Sequence, residues 1–122
     1  MPIDSENNRA HPRYAVEIDA QVTTPSGPLP VRTRDVSRGG LAFTAPHALA
    51  SGQEVAISMA LVFSENSFSE PLKVRARIVW STELTPGRHQ IGTAFTHMTG
   101  EQRSYLSLFL RFLEEGKEKE SR

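Results

Sequence analysis

Between residues 14 and 96, apolar side chains recur at every second position, in short runs separated by proline and glycine. Val16, Ile18, Ala20 and Val22 alternate with Glu17, Asp19, Gln21 and Thr23. Val55, Ile57, Met59, Leu61 and Phe63 repeat the pattern, as do Leu72, Val74, Ala76, Ile78 and Trp80 against Lys73, Arg75 and Arg77. A period of two puts one set on a single face of an extended chain, so each run reads as a half-buried strand. The pattern predicts six strands, at 14–23, 29–36, 41–44, 55–63, 72–80 and 89–96. Thr24-Pro25-Ser26-Gly27-Pro28 and Thr85-Pro86-Gly87 supply turns, because proline fixes φ and glycine accepts positive φ. Short strands at this spacing fold as an antiparallel barrel or sandwich, and closing a barrel removes exposed edges. At 122 residues the chain is one mainly β domain, large enough to bury a core without disulfides or metal.

The period changes after residue 96. Thr99-Gly100-Glu101-Gln102 is a capping box, with Thr99 as N-cap and Gln102 at the third position. A helix is expected over about residues 100–115, with Gly116 as its stop and 116–122 as a charged tail. Residues 1–8 are polar and aperiodic and read as a flexible leader. On the helix, Tyr105, Leu106, Leu108, Phe109, Leu110, Phe112 and Leu113 cover an arc of about 200°, wider than the ~100° stripe that one barrel needs. Either flanking loops cover the excess, or it serves homodimerisation through the C-terminal helix or capture of a partner helix.

Composition removes several functions. There is no cysteine, which excludes disulfide scaffolds, thiol catalysis and Cys-ligated metal and fits a reducing cytoplasm. No signal peptide and no apolar run long enough to span a membrane is present. His11, His47, His89 and His97 never recur at metal-ligand spacing, and P-loop, Rossmann and nucleophile-elbow patterns are missing. The reading is therefore a non-enzymatic domain with no metal and no cofactor. With 14 basic and 14 acidic residues the net charge is zero, so the field of a nonspecific nucleic-acid binder is lacking. Only nine aromatic residues, mostly at core parity, count against a single-strand-binding barrel of the OB kind. The basic set is nevertheless skewed, with eleven arginines to three lysines. Arginine's planar fork suits phosphate and guanine.

Two segments carry chemistry. Arg9-Ala10-His11-Pro12-Arg13 is an R-x-x-x-R just before the first strand. Asp35-Val36-Ser37-Arg38-Gly39-Gly40 is a D-x-S-x-x-G after the second, a pattern that residue frequencies predict roughly 0.02 times in such a chain. They lie 22 positions apart, from Arg13 to Asp35, and the hairpin between them returns the chain to its start, so both can meet at one end of the barrel.

With these motifs the chain resembles the PilZ domain family over about residues 9–115, including Ile91-Gly92-Thr93-Ala94-Phe95 as that family's G-x-x-F element. The resemblance implies a six-stranded antiparallel PilZ-type β-barrel (14–96) with a C-terminal helix, and a receptor for the bacterial second messenger cyclic di-GMP that signals to a downstream protein. An adaptor for motility or pilus machinery that needs no nucleotide is the alternative. Arg9 and Arg13 would fork onto phosphate or guanine. Asp35 would accept from guanine N1–H and N2–H₂, and Ser37 would bond a phosphate or base edge. Gly39 and Gly40 would supply positive φ and close backbone approach. Arg38 is a further candidate contact or an exposed turn residue. Trp80 sits at apolar parity, which makes it core by default and a stacking partner for guanine otherwise.

Overall fold

The computed structural model describes residues 12–62 and 70–120. Seven strands and one helix follow in order: β1 (Tyr14–Ala15), β2 (Asp19–Thr24), β3 (Gly27–Val36), β4 (Leu41–Ala45), β5 (Glu54–Met59), β6 (Leu72–Thr85), β7 (Arg88–His97) and α1 (Gly100–Glu120). All pairings are antiparallel, in the order β1-β3-β2-β5-β6-β7-β4, and β4 also pairs with β3. That last pairing closes β2, β3, β4, β7, β6 and β5 into a six-stranded barrel, with β1 extending the β2 flank of β3. Both hairpins use two-residue turns. Pro25-Ser26 is followed by Gly27 at φ 120°, and Gly87 has φ 78° after Pro86.

Inward positions fill the barrel with side chains. Val22, Val36, Leu41, Phe43, Ile57, Met59, Ile78 and Ile91 are fully buried, matching the alternation in the sequence. One end is closed by α1, which buries Leu106, Phe109 and Leu110 in the same core. The capping box forms as the sequence predicts: Gln102 N donates to Thr99 Oγ1 (3.1 Å), and Thr99 N donates to Gln102 Oε1 (2.9 Å). Tyr105 OH donates to the Glu70 carbonyl (3.0 Å), and the Gln102 amide donates to the Lys73 carbonyl. These bonds fix one flank of the helix to the start of β6.

The structure departs from the simple alternation at identifiable points. The run expected at 14–23 splits into β1 and β2, because the register slips by one between Ala15↔Asp35 and Asp19↔Arg32. Residues 16–18 thus face only residues 33 and 34. The side chain of Thr33, fully buried, fills the gap by accepting from Ile18 N (2.9 Å) and donating to the Val16 carbonyl (2.6 Å). β5 ends at Met59, although Leu61 is still buried; Phe63 lies outside the described residues. β6 runs past residue 80 to Thr85. The helix does not stop at Gly116 but continues to Glu120. One glycine costs only about 1 kcal/mol against alanine, too little to end a helix in a run containing Glu115, Lys117 and Glu118. Residues 116–120, assigned to a tail by sequence, are therefore helical.

Replacing Thr33 by valine keeps the shape and removes the hydroxyl, leaving the Ile18 N–H and the Val16 carbonyl unpaired. Thr33→Val is expected to lower stability by about 1–3 kcal/mol, read as a lower urea midpoint at unchanged slope. An unchanged midpoint would mean that the gap closes without the hydroxyl.

Candidate functional site

The site grows from the last two residues of β3. Asp35 and Val36 pair with Ala15 and Tyr14 on one edge and with Ala42 and Leu41 on the other. One edge thus receives the chain entering from Arg13, and the other receives the chain leaving the Ser37–Gly40 loop. Between Thr33 and Asp35 the β3–β4 register shifts by one residue. Val31 and Thr33 point inward, so plain alternation would send Asp35 inward too. The shift instead turns Val36 into the core and Asp35 to the outer face, the kind of re-aiming that bulges achieve beside functional sites.

There Asp35 meets Arg13. Arg13 Nη1 donates to Asp35 Oδ1 at 2.6 Å, with each side chain 26% exposed. The two motifs, 22 residues apart, are in direct contact. Among the described residues, Arg13 Nε is buried and has no hydrogen-bond partner. A buried guanidinium N–H without an acceptor is costly.

The loop is shaped by its own bonds. Ser37 N donates to the Gly40 carbonyl (2.8 Å), Gly39 N donates to Ser37 Oγ (3.1 Å), and Ser37 Oγ donates to the Gly40 carbonyl (3.3 Å). Ser37 is 4% exposed, and its hydroxyl is engaged in these loop bonds. Gly40 does not adopt the positive φ expected of it. Its requirement is space, since a Cβ there would lie 2.0 Å from the Thr93 carbonyl oxygen. Phe95 N donates to the Gly39 carbonyl (2.8 Å), and Thr93 Oγ1 donates to the Leu41 carbonyl (2.9 Å), fastening the loop to β7.

Asp35, Ala42, Gly92 and Trp80 are successive cross-strand partners on β3, β4, β7 and β6. Trp80 is not in the core, as parity suggested. A register shift between Ile78 and Trp80 turns it outward, where it is 37% exposed. Its indole lies over Gly92, since a Cβ on Gly92 would come within 2.2 Å of Trp80 Cε2. Two bulges therefore bring Asp35 and Trp80 into one outer row, separated by the small residues Ala42 and Gly92. At about 4.8 Å per strand the row is roughly 14 Å wide.

Arg38 is exposed and lines a cleft of about 170 Å³ with Met98, Arg103, Leu106 and Ser107 of the segment ending in α1. Tyr14 OH donates to Glu114 of α1 at 3.1 Å. Burial, and then Glu114, push the Tyr14 phenol pKa up, and nearby Arg38 opposes them. Arg9 and His11 lie outside the described residues. Sequence reading missed the Tyr14–Glu114 contact, the Gly92–Trp80 packing and the Asp35 bulge. Among the described residues no group of three or more metal-ligating side chains gathers, and no helix is long and apolar enough to cross a membrane.

Residues 7–112 match the PilZ domain family. The structure is similar to the PilZ domain of Escherichia coli YcgR with c-di-GMP, at 15% identity and a TM-score of 0.70, covering 93% of this chain and 98% of that one. It is similar to the PilZ domain of CeSA from a cellulose-synthesising bacterium, at 22% identity and a TM-score of 0.58, covering 87% and 98%. It also resembles the Bacillus subtilis inhibitor of motility MotI/DgrA, at 13% identity and a TM-score of 0.76, covering 93% of this chain and 53% of that one. The chain thus spans about half the length of MotI/DgrA, and at these identities the likeness is one of fold. No curated protein matches the sequence.

If Gly92 is needed to seat the indole, Gly92→Ala should displace Trp80, the single tryptophan, into water. The expected result is a red-shifted emission maximum together with a stability loss of about 1–3 kcal/mol from overpacking. Unchanged emission would place the indole elsewhere.

Proposed function

Because the chain belongs to the PilZ domain family, we propose that it is a cyclic di-GMP receptor, a non-catalytic domain that passes ligand occupancy to a protein partner. The observation that carries this reading is the Arg13–Asp35 contact, which joins the two motifs, with Arg13 Nε unpartnered among the described residues. Cyclic di-GMP offers two phosphates and two guanines. Each guanine has acceptors at O6 and N7 and donors at N1 and N2. Arg13 supplies donors for the first edge or for phosphate, and the carboxylate of Asp35 retains acceptor capacity for the second. The ion pair holds both groups in place before ligand arrives, which lowers the ordering cost of binding.

The remaining motif residues divide by role. Arg9 is proposed to reach a phosphate as the leader orders around the ligand. Ser37 and Gly40 keep the loop tight against β7, with Gly39 as the point of close backbone approach. Trp80 offers a flat face beside the small residues Ala42 and Gly92, suited to stacking a guanine. Arg38 is assigned to the cleft beside α1, with ligand contact as its secondary role. On α1, Leu108 (55% exposed) and Phe112 (40% exposed) leave part of the apolar arc uncovered. That edge is the proposed surface for the partner or for a second copy. We place the domain in the cytoplasm, where the nucleotide is made, and assign it no metal, cofactor or nucleic-acid partner.

Calorimetric titration with cyclic di-GMP, cyclic di-AMP, GTP and short single-stranded DNA tests this reading. Cyclic di-GMP alone should bind at micromolar affinity or better. Arg13→Ala should weaken it by about 1.5–3 kcal/mol, roughly 10- to 150-fold. Asp35→Ala should weaken it and also narrow the preference over cyclic di-AMP, because adenine lacks the donors that Asp35 accepts. No binding of cyclic di-GMP to the folded protein would favour the nucleotide-independent adaptor. Equal losses for the two nucleotides would reduce Asp35 to shaping the loop.

A further inference from the structure

Arg13 and Tyr14 are consecutive, and in an extended chain consecutive side chains point to opposite faces. Arg13 meets Asp35 on the outer face, while the Tyr14 phenol reaches Glu114 on α1, 100 residues further along the chain. We propose that the Tyr14–Glu114 hydrogen bond couples the nucleotide site to the C-terminal helix, and that Glu114 is a positioning residue for Arg13. The inference rests on the cyclic di-GMP reading and deepens it by naming the path from ligand to partner surface.

Three features make this segment suited to transmission. First, β1 is only two residues long and is held to the sheet through two register positions on β3. Second, the slip at residues 16–18 separates β1 from β2, so β1 is tied to β3 on its own, through its pairing and through Thr33 and Arg34. Third, the other half of the site approaches the same flank of α1. Arg38, from the motif loop, lines the cleft with Arg103 and Ser107 and lies close enough to Tyr14 to bias its ionisation. Both ligand motifs therefore adjoin one flank of one helix, whose outer edge carries exposed Leu108.

The coupling has a definite sign. Ligand that fixes Arg13 restricts β1, which holds Tyr14 against Glu114 and stiffens the second half of α1. Linkage then requires the reverse: loss of the Tyr14–Glu114 bond weakens ligand binding.

Amide hydrogen exchange over residues 108–115, with and without saturating cyclic di-GMP, tests the proposal alongside calorimetry on the same samples. In the wild-type chain the ligand should slow exchange there by at least about threefold. Tyr14→Phe and Glu114→Ala should each abolish that ligand-dependent slowing and weaken binding about three- to tenfold, with the double variant no weaker than either single one. Glu114→Gln retains an acceptor for the phenol and should behave as wild type. A bond that only stabilises the fold would raise exchange equally with and without ligand, leaving the slowing intact in Tyr14→Phe. That result, or unchanged affinity in both single variants, overturns the coupling. Failure of cyclic di-GMP to bind the wild-type chain instead overturns the receptor reading on which it rests.

Discussion

Asp35 and Val36 at the end of β3 are bonded along both edges, to β1 on one side and to β4 on the other. The β3–β4 pairing is what turns an open sheet into a barrel, so the closing seam and the candidate site are the same place. A closed barrel has no free strand edges, and its inner face can be filled by Val, Ile, Leu, Phe and Met without disulfide or metal. The same seam places the entering chain and the leaving loop one strand apart. The Arg13–Asp35 ion pair follows from that geometry. It joins residues 22 positions apart, brought side by side by the β1–β3 pairing.

Bulges then decide what the outer face presents. One extra residue at Arg34 sends Asp35 outward, and another near Val79 sends Trp80 outward, along a shared row floored by Ala42 and Gly92. The motif residues around that row act in different ways. Arg13 and Asp35 expose polar atoms. Ser37 and Gly40 are occupied with their own loop, one by internal hydrogen bonds and the other by contact with the Thr93 backbone. Charged groups that meet a ligand on a rigid sheet are held more accurately than groups on a free loop.

Alternation made most of the barrel legible, because inward and outward positions follow from a period of two wherever pairing is regular. The core residues of β2, β5, β7 and the first half of β6 were readable for this reason, and the capping box at Thr99 and Gln102 was readable from local chemistry. Bulges were not, since one inserted residue leaves the pattern on either side unchanged and only reverses their relation. The core position that parity gives Trp80 by default fails on that account, since the side chain lies on the outer face. The glycine requirements at Gly40 and Gly92 arise from Thr93 and Trp80, which are distant in sequence, and the link from Tyr14 to Glu114 is invisible to any local pattern. The meeting of the two motifs was legible because a hairpin joins them and returns the chain from Asp35 to Arg13. The contribution of Arg9 lies outside the described residues.

The central proposal is that Arg13, held by Asp35 and with its Nε unpartnered among the described residues, is the group that receives the nucleotide. The most direct measurement is the ¹⁵Nε–H resonance of Arg13 during titration with cyclic di-GMP, assigned by its loss in Arg13→Lys. The account predicts a large shift of that resonance as an acceptor arrives, saturating with the calorimetric binding curve. An Arg13 resonance that stays fixed while cyclic di-GMP binds would contradict it.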